Sequence, residues 1–375
     1  MMDMRRLLAY TNHIVPSLLA LAVCLFSGCE KSATQKVTDD LGNDFISFSG
    51  GTSDGYAVKS EDGSTPTLAT TDILKGKPFG IFGGKSYDGT TNFSSVFQTD
   101  RAQVVEWKKE GTTEKWTYDP KQKWERAMHY RFRAVWPYVE SNVKANSSAN
   151  LLSVTYHSLN EDYDLMVAYA DRYPLDQCVG AVNLEFKHAL AGLRFIVKYS
   201  DNAQNKEADA ITEFYLTGIY SQGQLFYGLA EENSVAESMI WDLSEYTFNV
   251  DTPQFHWPNT NGVTAGEEIP FGGDKNTEAN VYFTKTESGT FDGAALIVPQ
   301  TLSSQRGKTY VHFRTTLGGT ALHTVELPET PLKAGMIYTF TLSINETSIT
   351  IDGKVEDWKK IYSNIDIDIN NTIGG

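Results

Sequence analysis

The residue near the start of the chain best placed for chemistry is Cys29. It closes Leu25-Phe26-Ser27-Gly28-Cys29, where two small residues precede the thiol. Small side chains let an extended backbone enter a signal peptidase, and the thiol can take a diacylglyceryl group before cleavage. Upstream, Arg5 and Arg6 precede an apolar run from Ile14 to Phe26. That run is shorter than the ~20 residues a membrane span needs and has the length of a signal-peptide apolar region. Residues 1–28 are therefore expected to be a lipoprotein signal peptide, residues 29–43 a polar tether, and Cys29 the lipidation site. Each buried CH₂ of an acyl chain contributes about 0.8 kcal/mol, so a doubly acylated Cys29 would anchor the chain to a membrane. Cys24 leaves with the signal, and Cys178 reads as a small buried apolar residue rather than a nucleophile.

The remaining reactive side chains fall into no catalytic spacing. His13, His129, His157, His188, His256, His312 and His323 form neither H-x-x-x-H nor H-E-x-x-H, and the chain has no G-x-S-x-G elbow and no P-loop. His312 and His323 are expected to be structural residues on strand faces. Glu161-Asp162 and Glu231-Glu232 sit in polar turns, and no oxygen cluster is dense enough for calcium. The expectation is of no enzyme, no metal site and no cofactor. Trp107, Trp116, Trp124 and Trp136 lie close in sequence and could form a sugar-stacking platform. Trp136 is in phase with Tyr130 and Phe132, however, which favours cross-strand core packing.

Whatever the function, strands must position it. The chain has 375 residues, 41% of them hydrophobic, with 47 acidic and 32 basic side chains for a net charge of −15. That balance excludes a nucleic-acid binder, which needs a clustered basic face. Tyr130, Phe132, Ala134 and Trp136 alternate with Arg131 and Arg133; Tyr338, Phe340, Leu342 and Ile344 alternate with Thr339, Thr341 and Ser343. Period-2 alternation marks half-buried strands. Further strands are expected at 45–49, 78–83, 102–107, 151–156, 164–170, 182–187, 193–199, 211–220, 223–227, 280–284, 293–298, 308–315, 320–327 and 347–352. Clusters of Gly, Asn, Asp and Ser separate them, and no segment carries a helix-length 3.6 period. The fold class is all-β, and so many short strands imply two sandwiches, divided as 44–178 and 179–375.

Several strings, in order along the chain, resemble the fimbrillin family of Bacteroidales, lipoproteins that become pilus subunits, anchors or tips. They are Asn43-Asp44-Phe45-Ile46-Ser47-Phe48, Trp116-Thr117-Tyr118-Asp119-Pro120, Tyr130-Arg131-Phe132-Arg133-Ala134-Val135-Trp136-Pro137 and Asp164-Leu165-Met166-Val167-Ala168. Leu184-Glu185-Phe186-Lys187-His188-Ala189-Leu190-Ala191-Gly192-Leu193-Arg194-Phe195 is the most telling, followed by Leu296-Ile297-Val298-Pro299-Gln300, Lys333-Ala334-Gly335-Met336-Ile337-Tyr338 and Val355-Glu356-Asp357-Trp358. The resemblance implies two tandem transthyretin-like β-sandwiches. His188 belongs to the resembling pattern and is read here as structural, an imidazole at a strand end bonding neighbouring backbone.

The resemblance also implies assembly by strand exchange. A protease removes the N-terminal strand, and an extended segment of another subunit completes the opened sheet. The strand to be displaced is expected at Phe45, Ile46 and Phe48. No arginine stands between Cys29 and Arg101, so Lys59, in a loop rich in Gly, Ser and Thr, is the expected processing site. In the tail, 361–375, Ile361, Ile365, Ile367, Ile369 and Ile373 share one face of an extended strand. That stripe suits either a strand donated to a neighbour or the last strand of its own sandwich. The partners so implied are other pilus subunits and outer-membrane lipid, at the cell surface. A host or glycan receptor is compatible with a tip position, and an unprocessed anchor is compatible with the missing arginine. The alternative is a surface glycan-binding lipoprotein, which requires two or three coplanar exposed rings among Trp107, Trp116, Trp124, Trp241 and Trp257.

Overall fold

Alternating apolar residues need a partner surface, and the computed structural model gives them four main sheets. It describes residues 45–52, 57–58, 67–68, 72–89, 93–97, 101–125, 127–145, 151–159, 163–172, 181–199, 209–229, 237–257, 269–271, 278–281, 294–344 and 349–357. Cys29, Lys59, Cys178 and the tail isoleucines lie outside the described residues.

The main strands of the first half are β1 (Phe48–Thr52), β2 (Phe79–Ser86), β3 (Gln103–Glu110), β4 (Thr113–Thr117), β5 (His129–Trp136), β6 (Val143–Ala145), β7 (Leu151–His157), β8 (Met166–Arg172) and β9 (Val182–His188). The second half supplies β10 (Ala191–Tyr199), β11 (Ala210–Thr217), β12 (Gln222–Leu229), β13 (Glu237–Asp242), β14 (Gln254–Trp257) and β15 (Glu278–Val281). It ends with β16 (Ala295–Ile297), β17 (Tyr310–Thr315), β18 (His323–Glu326), β19 (Met336–Ile344) and β20 (Ile349–Asp357). The one α-helix among the described residues is the single turn Asp72–Lys75, so the all-β expectation holds.

Sheet I runs β1-β9-β8-β5-β2-β3-β4, and sheet II runs β13-β12-β7-β6. Sheet III runs β15-β10-β19-β20 with β16 also on β10, and sheet IV runs β14-β11-β17-β18. Two pairings are parallel: β1 with β9, and β10 with β19. Sheets III and IV enclose one core, in which Phe195, Phe214, Phe313 and Phe340 meet. The second core is aromatic and lies on one face of sheet I, where Phe79, Trp116, Trp124, Tyr130, Phe132 and Phe186 gather. The third joins the other face of sheet I to sheet II and takes Leu296 and Ile337 from sheet III.

β5 shows why both faces of sheet I are covered. Tyr130, Phe132, Ala134 and Trp136 enter the aromatic core, while Val135 faces the third core. Arg131 and Arg133, which simple alternation would send to solvent, are 2% and 0% exposed. Sheet II lies over that face at Arg133, and at Arg131 the Gly89 carbonyl (2.7 Å) and the Phe93 ring (4.5 Å) do, so polar residues in phase with the surface are buried instead. Arg133 stacks its guanidinium 5.6 Å from the Tyr169 ring, and burial lowers its pKa to about 10.

Sheets I and II take strands from both sides of the 178/179 boundary expected from sequence. β9 pairs with β8 and β1, and β12 pairs with β7 along its length. Two short links make this geometry possible. His188-Ala189-Leu190 leads from sheet I into sheet III and is held by Ala189 N to Leu165 O (2.8 Å), Gly335 N to Leu190 O (2.8 Å) and Trp241 Nε1 to Ala189 O (3.0 Å). The other link turns at Gly218, where φ is +70° and an added Cβ would stand 1.8 Å from Lys308 O. Only glycine fits there.

Candidate functional site

Within sheet I, the segment expected to be removable sits at an edge. Phe45 is 51% exposed, Ile46 1% and Phe48 5%, an alternation that comes from one strand face meeting the core and the other meeting water. β1 begins at Phe48, a little later than the sequence pattern indicated, because the residues ahead of it pair elsewhere. Phe45 bridges antiparallel to Lys123, and Ile46 N donates to Gln122 O at 2.8 Å. From Phe48 onward the chain runs parallel to β9, Phe48 opposite Val182 and Thr52 opposite Phe186. Val182 N donates to Ser47 O (2.7 Å), and Ser49 Oγ donates to Asn183 Oδ1 (3.2 Å).

The slot beneath this strand is aromatic. The Phe48 ring lies 5.5 Å from Phe132, 5.6 Å from Tyr118, 6.3 Å from Phe79 and 6.4 Å from Phe97. Its contacts with Phe79 and Phe132 are edge-on, the arrangement that ring quadrupoles favour. Burying Ile46 and Phe48 contributes roughly 1.5–3 kcal/mol each. Tyr118 OH donates to Ile46 O at 2.9 Å and accepts from Gln122 N at 3.2 Å. Burial raises the Tyr118 pKa, so the phenol stays a donor. At Gly50 an added Cβ would stand 3.5 Å from Trp116 Nε1 and 3.4 Å from Phe186 Cε2, both ordinary contacts, so a side chain has room there. At the Phe45 end, the surface opens into a cleft of about 330 Å³ lined by Lys85, Lys121, Lys123, Glu125 and Tyr130.

Other sequence candidates take structural places. His188 is buried, and its Nδ1 meets the carboxylate of Asp164. The strand-end geometry brings the two together because Met166, just after Asp164, pairs with His188. Burial lowers the His188 pKa to about 3. His312 and His323 are on adjacent strands but not opposite one another; His312 faces Thr324, and His323 faces Phe313. His312 holds Thr217 Oγ1 at 2.9 Å and Thr324 Oγ1 at 3.0 Å. Among the described residues no group of three His, Cys, Asp or Glu side chains could hold a metal ion. No helix among them is long and apolar enough to cross a membrane.

Among the described side chains the tryptophans form no platform of the kind a glycan binder needs. Trp116 and Trp124 are 5% and 7% exposed. Trp107 packs against Trp116 with ring planes 74° apart, and Trp241 rests on the third core with its N–H on Ala189 O. The Trp257 ring lies outside the described side chains.

A fimbrial protein from Bacteroides vulgatus superposes with a TM-score of 0.54 at 16% identity, covering 84% of this chain and 100% of that one. A candidate cell adhesion protein from Bacteroides ovatus gives a TM-score of 0.48 at 16% identity, over 84% of this chain and 98% of that one. A fimbrial assembly protein from Parabacteroides distasonis gives 0.42 at 11% identity, with the same coverage of 84% and 98%. Among curated proteins no match is found. The model of the fimbrillin-like family matches residues 66–358, most of the chain, and the protein belongs to that family.

Proposed function

We propose that the protein is a structural subunit of a cell-surface pilus and carries no enzymatic activity. It is exported as a lipoprotein through Cys29, and its mature form folds as two tandem β-sandwiches. β1 is a temporary occupant of sheet I. Proteolysis in the following loop, with Lys59 as the site, frees it, and the tail of another subunit, carrying Ile361, Ile365, Ile367, Ile369 and Ile373, fills the slot.

The observation that carries this reading is the construction of β1. It is short, lies at a sheet edge and runs parallel to β9, and its Phe48, with Ile46 just ahead of it, plugs an aromatic core. A parallel edge strand is normally tied in by a covering helix or crossover. Here β1 instead reaches β2 through a long stretch of chain containing Lys59, so a cut there leaves β1 held by noncovalent contacts alone. Its loss exposes Phe79, Phe97, Tyr118 and Phe132 together with the backbone edge of β9, a surface that any strand with alternate apolar side chains can complete.

Deleting 361–375 tests the reading. The truncated chain is expected to stay folded and monomeric by circular dichroism and sedimentation, and to form no fibres after processing. Fibres from that chain would refute it. Sequencing the N-terminus of surface material sorts subunit from anchor: a start beyond Lys59 identifies a stalk subunit, and a retained acylated Cys29 identifies an unprocessed anchor.

A further inference from the structure

We infer that the donor tail enters the β1 slot in the same sense as β1, with Ile367, Ile369 and Asn371 in the places of Ile46, Phe48 and Gly50, and that Asn371 accepts the indole N–H of Trp116. This rests on the strand-exchange reading of β1 and adds its register, polarity and recognition contact.

The starting observation is an unmet donor. Trp116 is 5% exposed, and its Nε1 has no hydrogen-bond partner. Buried donors are almost always paired, because losing water without a replacement acceptor is costly. The nearest residue of β1 is Gly50, which has no side chain to offer. A Cβ at that position meets Nε1 and Phe186 at ordinary van der Waals separations, so a short polar side chain can stand there with its oxygen on the indole. β1 is thus an imperfect occupant. It also carries two adjacent glycines, Gly50 and Gly51, which weaken a strand.

The tail supplies what β1 lacks. With Ile367 and Ile369 in the two apolar slots, the next inward residue is Asn371. The same register puts Asp366 where Phe45 stands, beside Lys123 and the lysine-lined cleft. It puts Asn370 where Ser49 stands, so that its amide can donate to Asn183 Oδ1 as Ser49 does now. Ile373 replaces Thr52 opposite Phe186. Polarity follows from the backbone. The bonds made by Ile46 N, Ile46 O and Ser47 O to Gln122, Tyr118 and Val182 recur at Ile367 N, Ile367 O and Asp368 O only when the donor runs as β1 runs. The tail reads almost alike in both directions about Ile367, and in the reverse sense Asn364 rather than Asn370 would face Asn183.

The test uses the full chain with a specific protease site placed within 59–66, cut to release β1, and follows subunit pairing by light scattering. Asn371→Ala on the donor is expected to slow pairing about tenfold with a Trp116 acceptor. With a Trp116→Phe acceptor the same change is expected to cost less than about twofold, because the unmet donor has gone. Equal losses on both acceptors would overturn the recognition contact. A cross-linking arm does not depend on the stability of Trp116→Phe. In a Cys29→Ser, Cys178→Ser background, Asn183→Cys on one chain is expected to form a disulfide with Asn370→Cys on another. A disulfide with Asn364→Cys instead would overturn the polarity. Pairing that persists after deletion of 361–375, or no pairing by any cut chain, would defeat the strand-exchange reading itself.

Discussion

At the residue scale, apolar alternation reports burial well and partners poorly. Tyr130, Phe132 and Trp136 enter a core as their spacing indicates. Arg131 and Arg133 are buried too, because alternation tells which residues share a face and not what covers it. His188 was legible as structural, but its carboxylate partner Asp164 lies 24 positions away, and only the β8–β9 pairing brings them together. The burial of His188 sets a pH response. Burial holds the His188 pKa at about 3 against an ordinary 6.5. Between those values the unfolded chain binds a proton that the folded chain does not, so stability is full above pH 6.5 and falls as the pH drops. His188→Asn is expected to flatten that part of the stability curve, measured by urea unfolding between pH 4 and 7; an unchanged slope would contradict the assignment. Phe48→Ala removes a ring buried among four others and is expected to cost about 3–5 kcal/mol in denaturant unfolding of the uncut chain. Once the cut strand has been displaced it should cost nothing, because β1 is gone.

At the element scale, strands that fill cores were readable and several edge strands were not. β5, β9, β10, β17 and β19 fall where the alternation placed them, and all have an uninterrupted apolar face. β4, β13 and β14 escaped notice. β4 (TEKWT) buries only Trp116 among exposed charged neighbours, and β13 carries Ile240, 57% exposed, opposite its core-facing residues. Such strands are fixed by pairing with a neighbour rather than by their own burial, and pairing is not written locally. β1 overlaps the strand expected at 45–49, yet its parallel pairing with β9 has no local signature. As an edge strand held from one side, β1 should exchange its amide hydrogens faster than β5, which has a partner on each side. Equal protection of the two by hydrogen-exchange mass spectrometry would contradict its role as a temporary occupant.

At the whole-molecule scale, the all-β class followed directly from composition and period, but the division of strands among sheets did not. Sheets I and II collect β9, β12 and β13 from beyond 178, and the third core takes side chains from sheets I, II and III. Connections of that kind depend on long-range closure, which the sequence carries only as the links 189–190, 218–221 and 243–253. A fragment spanning 44–178 lacks three strands of these sheets and is expected to remain unfolded by circular dichroism and NMR. A fragment extended through Asp242 restores all three and should gain β structure. A well-dispersed NMR spectrum from 44–178 would show that the sheets do not depend on the later strands.

The central claim is that β1 gives way to a foreign strand, and controlled cutting tests it most directly. A specific protease site within 59–66 allows fibre formation to be followed by electron microscopy before and after cleavage, with and without residues 361–375. The account predicts fibres only from the cut chain that keeps its tail. Fibres from the uncut chain, with β1 still in place, would contradict it.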